Sequence, residues 1–114
     1  MAELRRLQSY IPEANTDFEM FETPGAYIMA LIAANTSDTI ETKISAWILP
    51  YENTPIPSGE DEENYRIYII KNGIVPPAGS YETWRFSMVN GDTLWVKSNN
   101  GRATFTVQGI NQSV

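Results

Sequence analysis

Residues 32–50 read IAANTSDTIETKISAWILP, and this stretch decides the fold. An apolar run ends at Asn35, small polar residues follow, and a regular alternation begins at Ile40. Apolar or small residues occupy every second position from Ile40 to Ile48, and charged or polar residues occupy most positions between them. A period of two is typical of a β-strand with one buried face. The stretch therefore predicts two strands joined by a short polar turn.

Similar patterns run along the rest of the chain, separated by turn residues. The predicted strands cover residues 4–10, 18–22, 26–34, 40–49, 65–70, 81–88, 93–97 and 103–110, and residues 71–73 (Lys-Asn-Gly) predict a turn. No amphipathic helical pattern is present, and the turns are too short for parallel crossovers. We therefore predict an all-β fold, a single antiparallel β-sandwich of about eight strands, jelly-roll-like or immunoglobulin-like. Residues 1–12 are predicted to form an N-terminal arm or edge strand, and residues 13–114 the sandwich domain.

Composition narrows the range of partners. The chain of 114 residues carries 8 basic and 14 acidic residues, a net charge of -6, which repels phosphate backbones and predicts no nucleic-acid partner. The longest apolar run, residues 26–34, is much shorter than the ~20 residues of a membrane span, so we predict no membrane partner. Residues 1–16 lack the apolar core of a signal peptide, and we expect no export route from this sequence.

The residue types that carry most enzyme chemistry are scarce. The chain has no histidine and no cysteine, so the commonest general base, the commonest metal ligand and the thiol nucleophile are missing. We predict that the protein is not an enzyme, with no catalytic residues and no cofactor. The acidic run Glu60–Glu63 could supply calcium ligands, but four adjacent acids point in several directions, and we predict a solvated loop with no metal site.

The positions of the three tryptophans predict which of them lie in the core and which could contact a partner. Trp84 shares its strand phase with Phe86 and Met88 and is predicted to lie in the core. Trp47 and Trp95 share a phase with polar residues, and three interpretations are open: they anchor a partner interface, they pack under a neighbouring loop, or they lie at the centre of a twisted sheet that is buried on both faces.

The N-terminal segment is the second candidate interface. Its apolar side chains are Leu4, Leu7 and Tyr10, and Arg5 and Arg6 could pair with acids on a partner. We predict that this segment contacts another chain.

The order of motifs along the chain adds a resemblance. ANTD at residues 14–17 leads to an aromatic strand and a Pro-Gly turn, and ANTSDT at residues 34–39 ends an apolar strand. IVPPAGS, VNGDTLWVKS and ATFTVQG then follow at residues 74–80, 89–98 and 103–109. This order resembles the small all-β virion proteins of tailed bacteriophages, which decorate capsids or form parts of tails. The long acidic loop at residues 51–64 and the pair Arg5-Arg6 depart from the pattern.

The resemblance implies a virion structural protein, with a capsid decoration or cement subunit as the leading hypothesis. It implies the major capsid protein or other virion proteins as partners, a homo-oligomer such as a trimer, and a location on the virion after synthesis in the host cytoplasm. A tail, neck or fibre component is the alternative in the same class. A carbohydrate-binding β-sandwich module on a phage appendage is the alternative from a different class, and it would need an exposed aromatic platform.

Overall fold

The computed structural model describes residues 5–112, which form nine β-strands and two short 3-10 helices. The strands are β1 (Arg5–Tyr10), β2 (Phe18–Glu22), β3 (Tyr27–Asn35), β4 (Thr42–Leu49), β5 (Ile67–Val75), β6 (Ser80–Glu82), β7 (Phe86–Met88), β8 (Thr93–Ser98) and β9 (Ala103–Asn111). The 3-10 helices, Tyr51–Asn53 and Glu62–Tyr65, lie in the long connection between β4 and β5. The described part of the chain contains no helix long and apolar enough to cross a membrane.

The strands form two antiparallel sheets that pack against each other, which confirms the predicted β-sandwich. Sheet A has the order β1-β9-β3-β6, and β7 also pairs with β3. Sheet B has the order β2-β8-β4-β5. The strand β1 is thus the edge of sheet A, paired with β9 of the same chain.

The pairing is that of one long antiparallel ribbon. Because β6 and β7 pair with successive parts of β3, they count as one interrupted strand, and the total is then eight. β1 pairs with β9, β2 with β8, β3 with the interrupted strand β6–β7, and β4 with β5. A ribbon paired in this way and wound into two sheets is a jelly roll. The topology therefore favours the jelly-roll form of the predicted sandwich.

The stretch at residues 32–50 contains two strands, as predicted, but they do not pair as a hairpin. The strands β3 and β4 belong to different sheets, and residues 36–41 cross from one sheet to the other. Asn35 holds this crossing, because its Nδ2 donates to the carbonyl of Ile40 (2.7 Å) and its Oδ1 accepts from the backbone N–H of Ser37 (2.9 Å). The same Nδ2 also lies 3.2 Å from the carbonyls of Val75 and Pro76. The side-chain amide of Asn35 thus makes hydrogen bonds to this connection that backbone groups would make in a hairpin.

The core lies between the sheets and follows the period of two. The inward-facing residues from both sheets form one buried cluster: Met20, Met29, Leu31, Ala33, Ile44, Ala46, Ile48, Ile70, Val75, Met88, Leu94, Val96, Ala103, Phe105 and Val107. In β9 every second residue from Ala103 to Gly109 is buried. The burial of apolar area in this cluster is the main source of stability for a chain without disulfides.

The predicted turn at residues 71–73 is wrong, because β5 continues through it. Asn72 has a positive φ of 54°, and its N–H donates to Ser45 Oγ (3.1 Å) on β4. The β4–β5 register shifts at this point, so the Asn-Gly pair forms a β-bulge. Asn tolerates the left-handed conformation better than most residues, which is why the same pair can serve a turn or a bulge.

The predicted strand at residues 81–88 is interrupted at residues 83–85. Thr83 donates its N–H to the carbonyl of Leu31 (2.9 Å), and its Oγ1 accepts from the N–H of Leu31 (2.9 Å). A side-chain hydroxyl thus takes the place of a backbone carbonyl in the ladder, and the chain is free to turn away from the sheet.

Candidate functional site

The exposed edges of the two sheets border a groove on one side of the sandwich. Sheet B ends there in β5 and sheet A in the interrupted strand β6–β7. The groove has a volume of about 460 Å³. Its apolar lining includes Ile48, Ile67, Ile69, Tyr81, Trp84 and Phe86, and we call it the Trp84 groove.

Trp84 is the most exposed large apolar side chain of this surface. It is 94% exposed, so the prediction that it lies in the core is wrong. The prediction assumed an unbroken strand, but the interruption at residues 83–85 turns this side chain outward, whereas Met88 of β7 remains buried. The polar neighbours Thr83 and Arg85 fit an unbroken alternation, so the apolar–polar pattern contained no sign of the break.

Further apolar side chains extend the exposed surface around Trp84. Ile67 is 55% exposed and Tyr81 is 39% exposed, and both line the groove. Glu82 and Arg85 supply charge at its border. An exposed apolar patch with a polar rim is the usual composition of a protein–protein contact surface.

The backbone at this edge is a poor template for a further strand. β6 and β7 have 3 residues each, and the break between them removes a continuous row of N–H and C=O groups. A partner that covers this edge of sheet A is therefore expected to contact side chains, above all Trp84, and not to extend the sheet.

Trp47 was predicted as an interface anchor or as a side chain under a loop, and the structure gives the second arrangement. It lies on the outer face of sheet B, opposite Trp95 in the β4–β8 register, yet it is only 1% exposed. The guanidinium carbon of Arg66 lies 3.9 Å from the centre of its ring, and the ring of Tyr68 lies 5.8 Å away. Trp47 is thus covered by its own chain. The prediction that it anchors a partner interface does not fit this burial.

Arg66 follows the second 3-10 helix and ties three elements together. It forms ion pairs with Glu62 (2.8 Å) and with Asp17 (3.1 Å) in the β1–β2 connection, and its Nη1 donates to Tyr68 Oη (3.1 Å). Burial would lower the pKa of Arg66, but the hydrogen bonds to Glu62 and Tyr68 and the charge of Glu62 outweigh this desolvation and raise the pKa above its ordinary value. Arg66 therefore stays charged over Trp47.

The acidic run Glu60–Glu63 takes part in the same network. Asp61 caps the second 3-10 helix by accepting from the N–H of Glu63 (3.0 Å), and Glu60 accepts from the hydroxyl of Tyr65. Among residues 5–112, no group of three or more Asp, Glu, His or Cys side chains is arranged to hold a metal ion.

The other predicted interface residues are distributed as follows. Trp95 is half-buried, and its Nε1 donates to Thr93 Oγ1 (2.9 Å). Leu4 lies outside the described residues, as does the side chain of Arg5.

The remaining three belong to β1 and were expected to contact another chain. Arg6 is exposed, whereas Leu7 packs against the core. Tyr10 is 48% exposed and stacks on Phe18 with ring centres 4.2 Å apart. The described part of the N-terminal segment therefore contacts its own sandwich and does not project as a free arm.

Comparison of the chain with protein-family models, with curated proteins and with solved structures finds no match.

Proposed function

We propose that this protein is a structural subunit of a tailed-bacteriophage virion, a capsid decoration or cement protein that acts by protein–protein contact. The observation that carries the proposal is the exposure of Trp84 beside the Trp84 groove. A nearly fully exposed tryptophan is unfavourable in water, and tryptophan is one of the residue types enriched among the anchors of protein interfaces. In this proposal a neighbouring virion subunit covers Trp84 and fills the groove.

Two further arguments support the proposal. The order of turns and strand ends along the chain resembles that of small phage virion proteins. Jelly rolls recur in viral capsid proteins, although lectins and cupins share the architecture, so this second argument is an analogy at the level of the fold.

The surface of the chain is large enough for such a role. Its accessible surface is 6856 Å². A standard contact buries about 800 Å² on each partner. Two such contacts would occupy about a quarter of the surface, so one subunit can bridge two neighbours.

Cryo-electron microscopy of purified particles from the culture that makes this chain tests the assignment. We expect density for the sandwich on the capsid in a copy number that follows the capsid lattice, with the Trp84 groove facing a neighbouring subunit. A few copies at the tail, neck or fibre would move the protein to the alternative position in the virion. Absence of the chain from purified particles would overturn the proposal.

A pair of variants tests the surface itself. Trp84→Ser removes the anchor, and Ile40→Ser removes an exposed apolar side chain outside the groove as a matched control. We expect Trp84→Ser to lower the amount of chain on particles, while Ile40→Ser leaves it unchanged. Equal incorporation of both variants would show that the Trp84 groove is not the docking surface.

A further inference from the structure

A polar pocket on the outer face of sheet B collects positive charge. All three lysines of the chain, Lys43, Lys71 and Lys97, line this pocket of about 380 Å³, and Arg66 also lines it. The chain as a whole carries a net charge of -6. Two carboxylates, Asp17 and Glu63, line the pocket as well, so its four cations leave an excess of positive charge, which favours an anionic ligand.

The three lysines surround Ser45 on three neighbouring strands. Lys97 of β8 is paired with Ser45 in the β4–β8 register, and Lys43 lies two residues before Ser45 on the same face of β4. Lys71 of β5 precedes Asn72, whose N–H donates to Ser45 Oγ. The register thus brings the three lysines to one region of the outer face of sheet B.

The lysines are only partly balanced by the protein's own groups. Lys97 Nζ lies 3.9 Å from Asp17, and Lys71 Nζ lies 5.0 Å from the centre of the Tyr68 ring. Within residues 5–112, Lys43 forms no ion pair and no ring contact. Lys43 and Lys71 are thus two cations on one pocket without a carboxylate partner in the described chain.

Trp47 gives a second, independent indication of a ligand. It lines the pocket, is 99% buried, and its Nε1 donates to no acceptor among the described residues. A buried indole N–H is unfavourable without an acceptor, and tryptophan normally finds one. The N–H is itself fully covered, so an acceptor bound in the pocket reaches it only if the side chains that cover Trp47 shift.

The pocket also contains acceptors, which narrow the ligand further. Glu63 lines it and is engaged by only a long contact to Tyr68 Oη (3.4 Å), so it can accept from a hydroxyl. Ser45 Oγ accepts from Asn72 and keeps its own proton to donate. A ligand that suits this set carries a carboxylate for the lysines and hydroxyls for Glu63 and Ser45. The volume lies near the lower end of the ~300–1,000 Å³ range of small-molecule sites, which suits a single sugar ring.

We propose that this pocket binds an acidic monosaccharide through its carboxylate, either as a free sugar acid or as an exposed residue of an acidic glycan. The binding does not depend on the virion assignment, because it uses the outer face of sheet B and not the Trp84 groove. An extended polyanion such as nucleic acid is disfavoured, because it would extend beyond the pocket over a chain whose net charge is -6.

The first experiment follows the indole N–H signals of the intact protein by ¹H–¹⁵N NMR. Trp84→Phe and Trp95→Phe assign two of the three signals and leave the third to Trp47. We expect D-glucuronate to shift the Trp47 signal in a saturable manner, and D-glucose at the same concentration to leave it in place. Inorganic phosphate and sulfate are expected to bind at least about tenfold more weakly, since they lack the hydroxyl pattern of a sugar. No shift with glucuronate, or equal binding of phosphate, would overturn the proposal.

The second experiment assigns the site and the source of the ligand. Lys43→Met and Lys71→Met are exposed substitutions that should each weaken glucuronate binding about tenfold or more, whereas Arg102→Gln, an exposed cation outside the pocket, should have no effect. Unchanged binding in both lysine variants would contradict the site. D-Galacturonate and oligogalacturonate form a matched pair of monomer and polymer. Oligogalacturonate that binds as well as D-galacturonate would assign an acidic glycan, and binding of the monosaccharide alone would assign a free sugar acid.

Discussion

The guanidinium of Arg66 lies 3.9 Å from the centre of the Trp47 ring, on the face of sheet B that points away from the core. A strand pattern alone places Trp47 in solvent, but a residue from the loop before β5 covers it. The outer face of sheet B thus contains a small second packed region, in which Arg66 connects the acidic loop, the β1–β2 connection and the central strand β4.

Truncation of Trp47 should destabilise the isolated subunit severely. Trp47→Ala removes a buried ring and is expected to lower the free energy of unfolding by about 3–5 kcal/mol. Trp84→Ala changes an exposed side chain and should stay within about 0.5 kcal/mol of the wild type. Urea unfolding of both variants measures the difference. A larger loss for Trp84→Ala than for Trp47→Ala would contradict the burial of the two side chains described above.

Removal of the charge on Arg66 should loosen the outer face without unfolding the core. Arg66→Met keeps most of the side-chain length but loses the contact with the Trp47 ring and the bonds to Asp17 and Glu62. We expect a loss of about 1–3 kcal/mol, because a cation over a partly desolvated ring and a half-buried ion pair both contribute. Thermal melting checks this, with Arg85→Met as a control for loss of an exposed arginine. Equal melting temperatures for the two variants would show that Arg66 does not stabilise this region.

The crossing from sheet A to sheet B should depend on Asn35. Asn35→Ala replaces a buried amide and leaves the part-buried carbonyl of Ile40 and N–H of Ser37 without their side-chain partner, with an expected cost of about 1–3 kcal/mol. Asp38→Ala, at an exposed position of the same connection, should stay within about 0.5 kcal/mol. Chemical unfolding of both variants compares the costs, and a neutral Asn35→Ala would contradict the role of this amide.

Residues 5–10 should be required for full stability. Deletion of residues 1–10 removes β1, uncovers the edge of β9, and removes Leu7 from the core and Tyr10 from its stack on Phe18. The loss of one partly buried leucine and of one aromatic stack is expected to cost about 1–3 kcal/mol. Differential scanning calorimetry measures it. A deletion variant as stable as the full chain would mean that this segment is a free arm after all.

The sequence was sufficient for the class of fold because the period of two and the turn residues recur along the whole chain. The core positions of β4, β8 and β9 follow the alternation directly. The pattern also predicted correctly that Trp47 lies on the outer face of its strand. It contains no information about Arg66, which covers Trp47 from a separate loop. Whether a residue from another part of the chain covers an outward-facing side chain depends on tertiary packing, which the period of the sequence does not indicate.

Trp84 was misplaced for a different physical reason. Its alternation with Phe86 and Met88 indicates the core only if the strand is continuous, and the hydroxyl of Thr83 replaces a ladder acceptor at this position. Side chains of Thr compete locally with the backbone for hydrogen bonds, and such competition cannot be read from an apolar–polar pattern. The Asn72 bulge is a second case, because the same residue pair suits a turn and a bulge.

The central claim is that Trp84 anchors the protein to a neighbouring subunit while contributing little to its own folding. Co-expression of wild-type and Trp84→Ala chains in the host, followed by mass spectrometry of purified particles, gives the ratio of the two in the assembly. We predict that Trp84→Ala is depleted by about tenfold or more, as expected for an anchor worth about 2 kcal/mol, although its melting temperature equals that of the wild type. Incorporation of both chains in the ratio in which they are made, with equal stability, would contradict the account.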